Sequence, residues 1–114
     1  MDDELHKQLI KDLLIESFEG LDVYDREMLA IEEGSSDRET MNVIFRAIHT
    51  IKGTSGCLGL TKIESVAHVG ENVLSMLREG QLNSSSELVT TLLSLSDALR
   101  EMLQCLDDNG TEGD

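Results

Sequence analysis

Proline and tryptophan are absent from this 114-residue chain, and its aromatic residues are one tyrosine and two phenylalanines. Because proline interrupts helices, its absence permits long unbroken ones. No apolar run approaches the roughly 18 residues of a membrane span, and the acidic N-terminus does not resemble a signal peptide. The two cysteines, Cys57 and Cys105, have no disulfide or metal-site spacing. We therefore expect one soluble, cytoplasmic, helical domain in which both cysteines are reduced core residues.

Basic residues are scarce as well, with 9 Lys and Arg against 23 Asp and Glu and a net charge of −14. Nucleic acids and anionic membranes bind clustered Lys and Arg, so we expect neither as a partner, and no membrane insertion. Residues 1–33 carry 3 basic and 11 acidic side chains, and residues 60–114 carry 3 and 10. Residues 34–59 carry 3 and 2, so this segment alone is not acidic. It is the part of the chain best suited to meet a phosphorylated ligand.

Apolar residues recur at alternating intervals of three and four in four segments, which is the spacing of one helix face. The four segments span approximately residues 3–33, 37–56, 61–79 and 85–106. In the last of them the predicted stripe consists of Leu88, Leu92, Leu95, Leu99, Met102 and Leu106. Short loops join the segments, so the sequence predicts an all-α, antiparallel up-down four-helix bundle.

Residues 1–106 would form this bundle, and residues 107–114 an acidic tail or the start of a linker. Three helix starts show capping-box spacing, at Ser36–Glu39, Thr61–Glu64 and Ser84–Glu87. Gly34 and Gly80 are the expected C-terminal caps of the first and third helices.

The second segment contains the residues that indicate chemistry. On a wheel of about 100° per residue, His49 lies nearly opposite the apolar stripe and so points to solvent. Gly53 and Gly56 follow it, although glycine inside a helix costs about 1 kcal/mol relative to alanine. Either the helix frays there, or the missing side chains let a large partner reach the imidazole.

The third segment places Glu64, His68 and Glu71 on the flank of its apolar stripe. If helices two and three are antiparallel neighbours, this flank lies beside His49 and Lys52. A carboxylate bound to one imidazole nitrogen fixes the tautomer and leaves the other nitrogen as a nucleophile. A nearby lysine balances the charge of an incoming phosphoryl group.

The run His49-x-x-Lys52-Gly53-x-x-Gly56-x-Leu58-Gly59 resembles the signature of histidine phosphotransfer (HPt) domains. The chain is most similar to the N-terminal phosphotransfer domain of CheA-type chemotaxis histidine kinases, over about residues 3–106. The resemblance implies an exposed histidine that is phosphorylated by the kinase's ATP-binding domain and passes the group to an Asp of a response regulator receiver domain. By matching position, His49 is the phosphoacceptor, and Lys52, His68 and Glu71 complete its polar network.

No phosphate loop and no acidic metal pair are present, so we expect the domain alone to be a non-catalytic phosphoacceptor and phosphodonor. It would hold no cofactor and no metal, while ATP and Mg²⁺ would bind the kinase domain of a parent protein-histidine kinase. Chemotaxis-type domains commonly carry a fifth helix after the bundle, and this chain ends too soon to include one. We therefore expect either a piece of a longer kinase or a shorter stand-alone carrier, and the tail together with Met1 favours the first. Phe45, four residues before His49, either belongs to a partner-docking surface or covers the edge of the bundle.

Two alternatives stay open. The first is a phosphorelay carrier that stands alone or belongs to a hybrid kinase, with the same chemistry and different partners. The second is a helical interaction bundle without phosphotransfer, which uses His49, His68 and Glu71 to bind a metal or a partner. Lys52 disfavours the metal, because it would place a cation beside the ion.

Overall fold

The computed structural model describes residues 3–34 and 38–113. Its four α-helices are α1 (Asp3–Glu32), α2 (Arg38–Cys57), α3 (Thr61–Arg78) and α4 (Ser86–Asn109). Each helix packs against the next and α4 returns to α1, so the four form a closed ring. The short connections make neighbours antiparallel, which confirms the all-α four-helix bundle.

The bundle measures 46 × 20 × 20 Å, and its long axis matches the 30 residues of α1 at about 1.5 Å each. No helix in the described part of the chain is long and apolar enough to span a membrane.

The stripe predicted for α1 is confirmed except at Ile10, which is only half-buried. The predicted residues are Ile10, Leu14, Ser17, Leu21, Tyr24, Met28 and Ile31. The buried residues of α1 are Leu13, Leu14, Ser17, Leu21, Tyr24, Met28 and Ile31. Tyr24 is fully buried, and its hydroxyl donates a hydrogen bond of 2.8 Å to the carbonyl oxygen of Leu92 in α4. Burial, aided by the charge of nearby Asp25, raises the pKa of this phenol, which therefore stays neutral.

The buried face of α4 includes Leu92, Leu99 and Leu106 as predicted, but at its other three positions it lies one residue later than the predicted stripe. The residues that face the core are Val89, Leu92, Ser96, Leu99, Leu103 and Leu106. Leu88, Leu95 and Met102 are only half-buried beside them. The sequence did not reveal this buried face, because a polar residue, Ser96, stands at its centre. Ser96 tolerates burial because its hydroxyl donates a 2.6 Å hydrogen bond to Asp25 of α1.

Two of the predicted helix starts differ from the structure. Leu60, not Thr61, is the N-cap of α3, and its side chain forms no capping hydrogen bond. Ser85, not Ser84, caps α4 by accepting a hydrogen bond of 3.1 Å from the backbone of Leu88. The capping box expected at Ser36 lies outside the described residues.

Helix ends are set largely by glycine. Gly34 and Gly80 have positive φ just after α1 and α3, as expected of C-terminal caps. Of the two interpretations of Gly53 and Gly56, fraying of α2 is wrong, because the helix runs through both glycines to Cys57. The turn comes at Gly59, whose φ is 75°.

The tail predicted from residue 107 is wrong in its first part, because α4 continues to Asn109. After Gly110 the chain turns back toward α3. There the Glu112 carboxylate accepts a hydrogen bond of 2.8 Å from the backbone N–H of Ile63. Lys62 also donates to the Gly113 carbonyl oxygen. Glu112 and Gly113 are therefore packed on the bundle.

Neither cysteine is a core residue, which corrects the expectation from sequence. Cys57 is exposed at the end of α2 and Cys105 is half-buried on α4. Cys57 is the last residue of α2, past the buried turn that includes Ser55. Cys105 lies between the buried positions Leu103 and Leu106 on the flank of α4.

Candidate functional site

The contacts between α2 and α3 run in opposite directions along the two helices. Near the end of α2, Gly56 faces Glu64 in the first turn of α3. About two turns earlier in α2, His49 reaches Glu71 in the middle of α3. These pairs establish the antiparallel register that the sequence required for a polar site between the two helices.

Glu71 lies at the centre of this site and binds two residues of α2 at once. Its Oε2 is 2.8 Å from His49 Nδ1, and its Oε1 accepts a hydrogen bond of 2.9 Å from Lys52 Nζ. His49 and Lys52 are three residues apart and so lie on neighbouring positions of one helix surface. One carboxylate therefore orients both side chains.

The electrostatics of the site keep Glu71 ionised. Its side chain is only 15% exposed, and burial alone would raise its pKa. The hydrogen bonds and charges of Lys52 and His49 outweigh burial, so the pKa of Glu71 falls below its ordinary value. An ionised carboxylate can only accept hydrogen bonds, so His49 Nδ1 must carry the proton.

His49 presents its other nitrogen outward. Its side chain is 57% exposed, as the helical wheel placed it. With the proton on Nδ1, the Nε2 lone pair is unprotonated in the neutral ring and no described residue hydrogen-bonds to it. Lys52 is 24% exposed and lies beside the carboxylate, so it leaves positive charge at the edge of the site. The geometry suits an imidazole that attacks an electrophile from solvent.

The two glycines expected to give access to a partner differ in their surroundings. A Cβ at Gly53 would meet nothing within 4 Å, so the surface one turn beyond His49 is open. At Gly56 a Cβ would lie 2.3 Å from Glu64 Oε2, because that carboxylate covers the glycine. Gly56 therefore serves the contact between α2 and α3, and clearance for a partner at this position is not supported.

Phe45 belongs to the site through contacts that the sequence did not suggest. Its ring stacks on the imidazole of His49, with centroids 5.9 Å apart and planes inclined by 11°. The guanidinium of Arg78, in the last turn of α3, lies over the same ring, 4.1 Å from its centroid. Sequence reasoning missed Arg78. It follows Glu71 by seven residues, just as Phe45 precedes Lys52 by seven, so an antiparallel pairing could have revealed it.

His68 is not brought into the polar network. It is exposed on α3, one turn before Glu71, and makes no hydrogen bond or ion pair within the described ranges. Its role in the site stays a prediction. Residues 3–34 and 38–113 contain no group of three or more His, Cys, Asp and Glu side chains that could hold a metal ion.

Comparison with known proteins identifies the family. The Hpt domain family matches residues 8–109 of the chain. Over 106 residues, 93% of its length, the chain is 31% identical to the sensor histidine kinase CheAY of Helicobacter pylori. It is also 35% identical over 95 residues, 83% of its length, to the chemotaxis protein CheA of Bacillus subtilis. It spans only 13% and 14% of the lengths of these two relatives.

Two solved structures share the fold. One is the phosphorylated P1 domain of CheA3 in complex with CheY6 from R. sphaeroides, with a TM-score of 0.84 and 31% identity. The match covers 91% of this chain and 81% of that one. The other is the CheA phosphotransferase domain from Thermotoga maritima, with a TM-score of 0.82, 26% identity and coverage of 89% and 96%. On the match over residues 8–109, the chain belongs to the Hpt domain family.

Proposed function

We propose that this chain is the phosphocarrier domain of a chemotaxis-type two-component kinase, and that His49 carries the phosphoryl group. The observation that supports this most directly is the exposed imidazole whose Nδ1–H is bound to Glu71. The similarity to a sensor histidine kinase and to a chemotaxis protein supports a chemotaxis kinase as the parent protein. The parent protein would be a protein-histidine kinase that acts in the cytoplasm.

In the first step the lone pair of His49 Nε2 attacks the γ-phosphorus of ATP held by the kinase's ATP-binding domain. The N–P bond forms, the bond from the γ-phosphorus to the bridging oxygen breaks, and ADP leaves with that oxygen. The ring becomes cationic and keeps its proton on Nδ1, where the ionised Glu71 stabilises it. Lys52 offers positive charge to the phosphoryl oxygens at the edge of the site.

In the second step a carboxylate oxygen of an aspartate on a response regulator attacks the phosphorus. An O–P bond forms, the N–P bond breaks, and His49 returns to its neutral form with the proton still on Nδ1. The complex of the R. sphaeroides P1 domain with CheY6 supports a receiver domain as this partner. The open surface at Gly53 gives such a partner access to the imidazole.

The domain requires no cofactor of its own under this proposal. ATP and Mg²⁺ belong to the kinase domain, which supplies the catalysis, and this chain acts first as substrate and then as donor. The charge distribution fits this role. The helix α2 has three basic side chains against one acidic and α3 has two against two, whereas α1 and α4 are acidic, so the face that meets the phosphate lies on the two helices that are not acidic.

The decisive experiment is labelling with γ-labelled ATP and the ATP-binding domain of a CheA-type kinase. Wild-type protein and the His6→Gln variant should be labelled equally, and His49→Gln should not be labelled. The label should be lost in acid and kept in base, as for a phosphohistidine. Labelling of His49→Gln at the wild-type rate would contradict the proposal.

A further inference from the structure

The stack of Arg78, Phe45 and His49 carries an inference beyond the polar network. The ring separation of 5.9 Å falls within the range of stacked aromatic pairs. The guanidinium at 4.1 Å from the Phe45 centroid is well inside the distance of a cation–π contact. Three side chains from two helices are therefore in successive contact, and the last of them is the proposed phosphoacceptor.

The middle member of the stack is anchored. Phe45 is half-buried and packs against the hydrophobic core, so its ring is fixed by the bundle. It precedes His49 by four residues, which places the two rings one above the other on the helix surface. Arg78 lies in the last turn of α3, where the helix dipole favours a positive side chain. The packing of both helices thus holds the ring that contacts the imidazole.

The stack supplies a constraint that the polar network lacks. The hydrogen bond from Nδ1 to Glu71 fixes one atom of the imidazole, but the ring can still tilt about that contact. The nearly parallel Phe45 ring restricts this tilt, because the two planes differ by only 11°. A fixed ring plane aims Nε2 in one direction, and orientation of a nucleophile raises the rate of its attack.

We propose that Phe45 and Arg78 are positioning residues for phosphotransfer, with Phe45 setting the plane of the His49 imidazole and Arg78 holding Phe45. This inference rests on the proposed role of His49 as phosphoacceptor. Neither residue touches the phosphoryl group in this scheme. The other interpretation of Phe45, as a docking residue for the kinase or the regulator, predicts a different result in the following test.

The test uses phosphoramidate, a small phosphoryl donor that needs no docking surface. His49 Nε2 attacks its phosphorus, the N–P bond to the protein forms, the original P–N bond breaks, and ammonia leaves. Phe45→Leu should lower the rate with phosphoramidate by about two- to tenfold, the range of one lost stacking contact. With the kinase and ATP, Phe45→Leu should lower kcat by the same factor and leave the KM of the kinase for this domain unchanged. Phe45→Tyr should restore both rates.

Arg78→Gln is the second variant, because it removes an exposed side chain and leaves the core intact. It should slow both reactions in the same direction as Phe45→Leu, by about twofold, and the double variant should be no slower than Phe45→Leu alone. Thermal melting of each variant shows whether it is folded. The ¹³Cδ2 and ¹⁵N shifts of His49 report its tautomer and ring environment without any phosphoryl donor.

The outcomes separate this inference from the proposed function. If wild-type protein is labelled and Phe45→Leu is slow only with the kinase, Phe45 is a docking residue and the positioning role is overturned. Unchanged rates with both donors overturn it as well. If the wild type is labelled by neither donor, the proposed function itself fails. The chemical shifts of His49 test the role of Phe45 independently of either donor. If they are unchanged in Phe45→Leu, Phe45 does not orient the imidazole.

Discussion

Glu71 and His49 are joined across the interface of α2 and α3 by a hydrogen bond of 2.8 Å between Oε2 and Nδ1. The same carboxylate is bound to Lys52 through its other oxygen. It therefore fixes the imidazole tautomer and holds a lysine beside it. Removing Glu71 removes both effects at once.

Glu71→Ala should slow phosphorylation of His49 by about tenfold or more, because the ring loses its fixed tautomer and its orientation. Helical content should stay at the wild-type level, since the Glu71 side chain lies outside the hydrophobic core. Labelling rates and far-ultraviolet circular dichroism measure the two effects. Glu64→Ala, on the same face of α3, is the matched control. Equal labelling rates for wild type and Glu71→Ala would remove Glu71 from the mechanism.

The lowered pKa of Glu71 makes part of the stability depend on pH. Partial burial opposes ionisation, but Lys52 and His49 reverse that effect, so the folded state favours the charged form. A lowered pKa stabilises the fold above the ordinary value of 4.5, and this contribution is lost as the pH falls through the lowered value. Urea unfolding of wild type and Glu71→Gln should therefore differ most near neutral pH. The difference should shrink below about pH 4, and a difference that is constant down to pH 3 would contradict the assignment.

Gly53→Ala separates access of a partner from folding. The added methyl group would touch nothing within 4 Å in this domain. Alanine also favours a helix over glycine by about 0.5–1 kcal/mol, so the variant should be more stable than wild type. If partners approach over Gly53, phosphotransfer should nevertheless become slower, and a leucine there should slow it further. Transfer at wild-type rates in both variants would show that this surface is not used.

Gly56→Ala is the matched control on the same helix. Its methyl group would meet the Glu64 carboxylate, the end of a flexible side chain that can move away. We expect a smaller gain in stability than at Gly53, and transfer at the wild-type rate. If Gly56→Ala slows phosphotransfer and Gly53→Ala does not, partners approach over Gly56 and not over Gly53, which would contradict the assignment of the two glycines.

The sequence predicted the parts of the fold that follow from periodicity. The stripe of α1 is apolar at nearly every buried position, so its spacing located the core face correctly. In α4 the buried serine, Ser96, broke the true stripe, and the half-buried leucines on its flank formed a more regular pattern than the core itself. Periodicity cannot detect a polar core residue whose hydrogen-bond partner, Asp25, lies 71 positions away.

The candidate site divides in the same way. The exposed position of His49 followed from the wheel, and the flank of α3 that carries Glu71 followed from an antiparallel pairing of the helices. The stack with Phe45 and Arg78 did not follow, because it depends on the rotamers of side chains from two helices. For the same reason the sequence could not show that Glu64 covers Gly56, while Gly53 stays open.

Ser55→Ala should stabilise the protein by up to about 1 kcal/mol. The Ser55 hydroxyl is buried in α2 and finds no hydrogen-bond partner among the described residues, so its desolvation is uncompensated. Ser96→Ala is the control, because that hydroxyl is also buried but is bound to Asp25. The Ser96→Ala variant should therefore be less stable than wild type by about 1 kcal/mol. Chemical denaturation of both variants measures the free energy of unfolding, and the same sign for both would contradict this account.

Glu112→Ala tests whether the segment after α4 supports α3. The N-cap of α3 is Leu60, whose apolar side chain cannot accept a hydrogen bond, and Glu112 accepts one from the Ile63 N–H instead. A carboxylate at a helix N-terminus also interacts favourably with the helix dipole. The variant should therefore lose about 0.5–1 kcal/mol of stability, the usual value of a capping side chain. Glu101→Ala removes the same charge from an exposed position of α4 that forms no hydrogen bond or ion pair within the described residues, and it should be nearly neutral. Equal unfolding midpoints for the two variants would show that the contact of Glu112 with α3 does not stabilise the bundle.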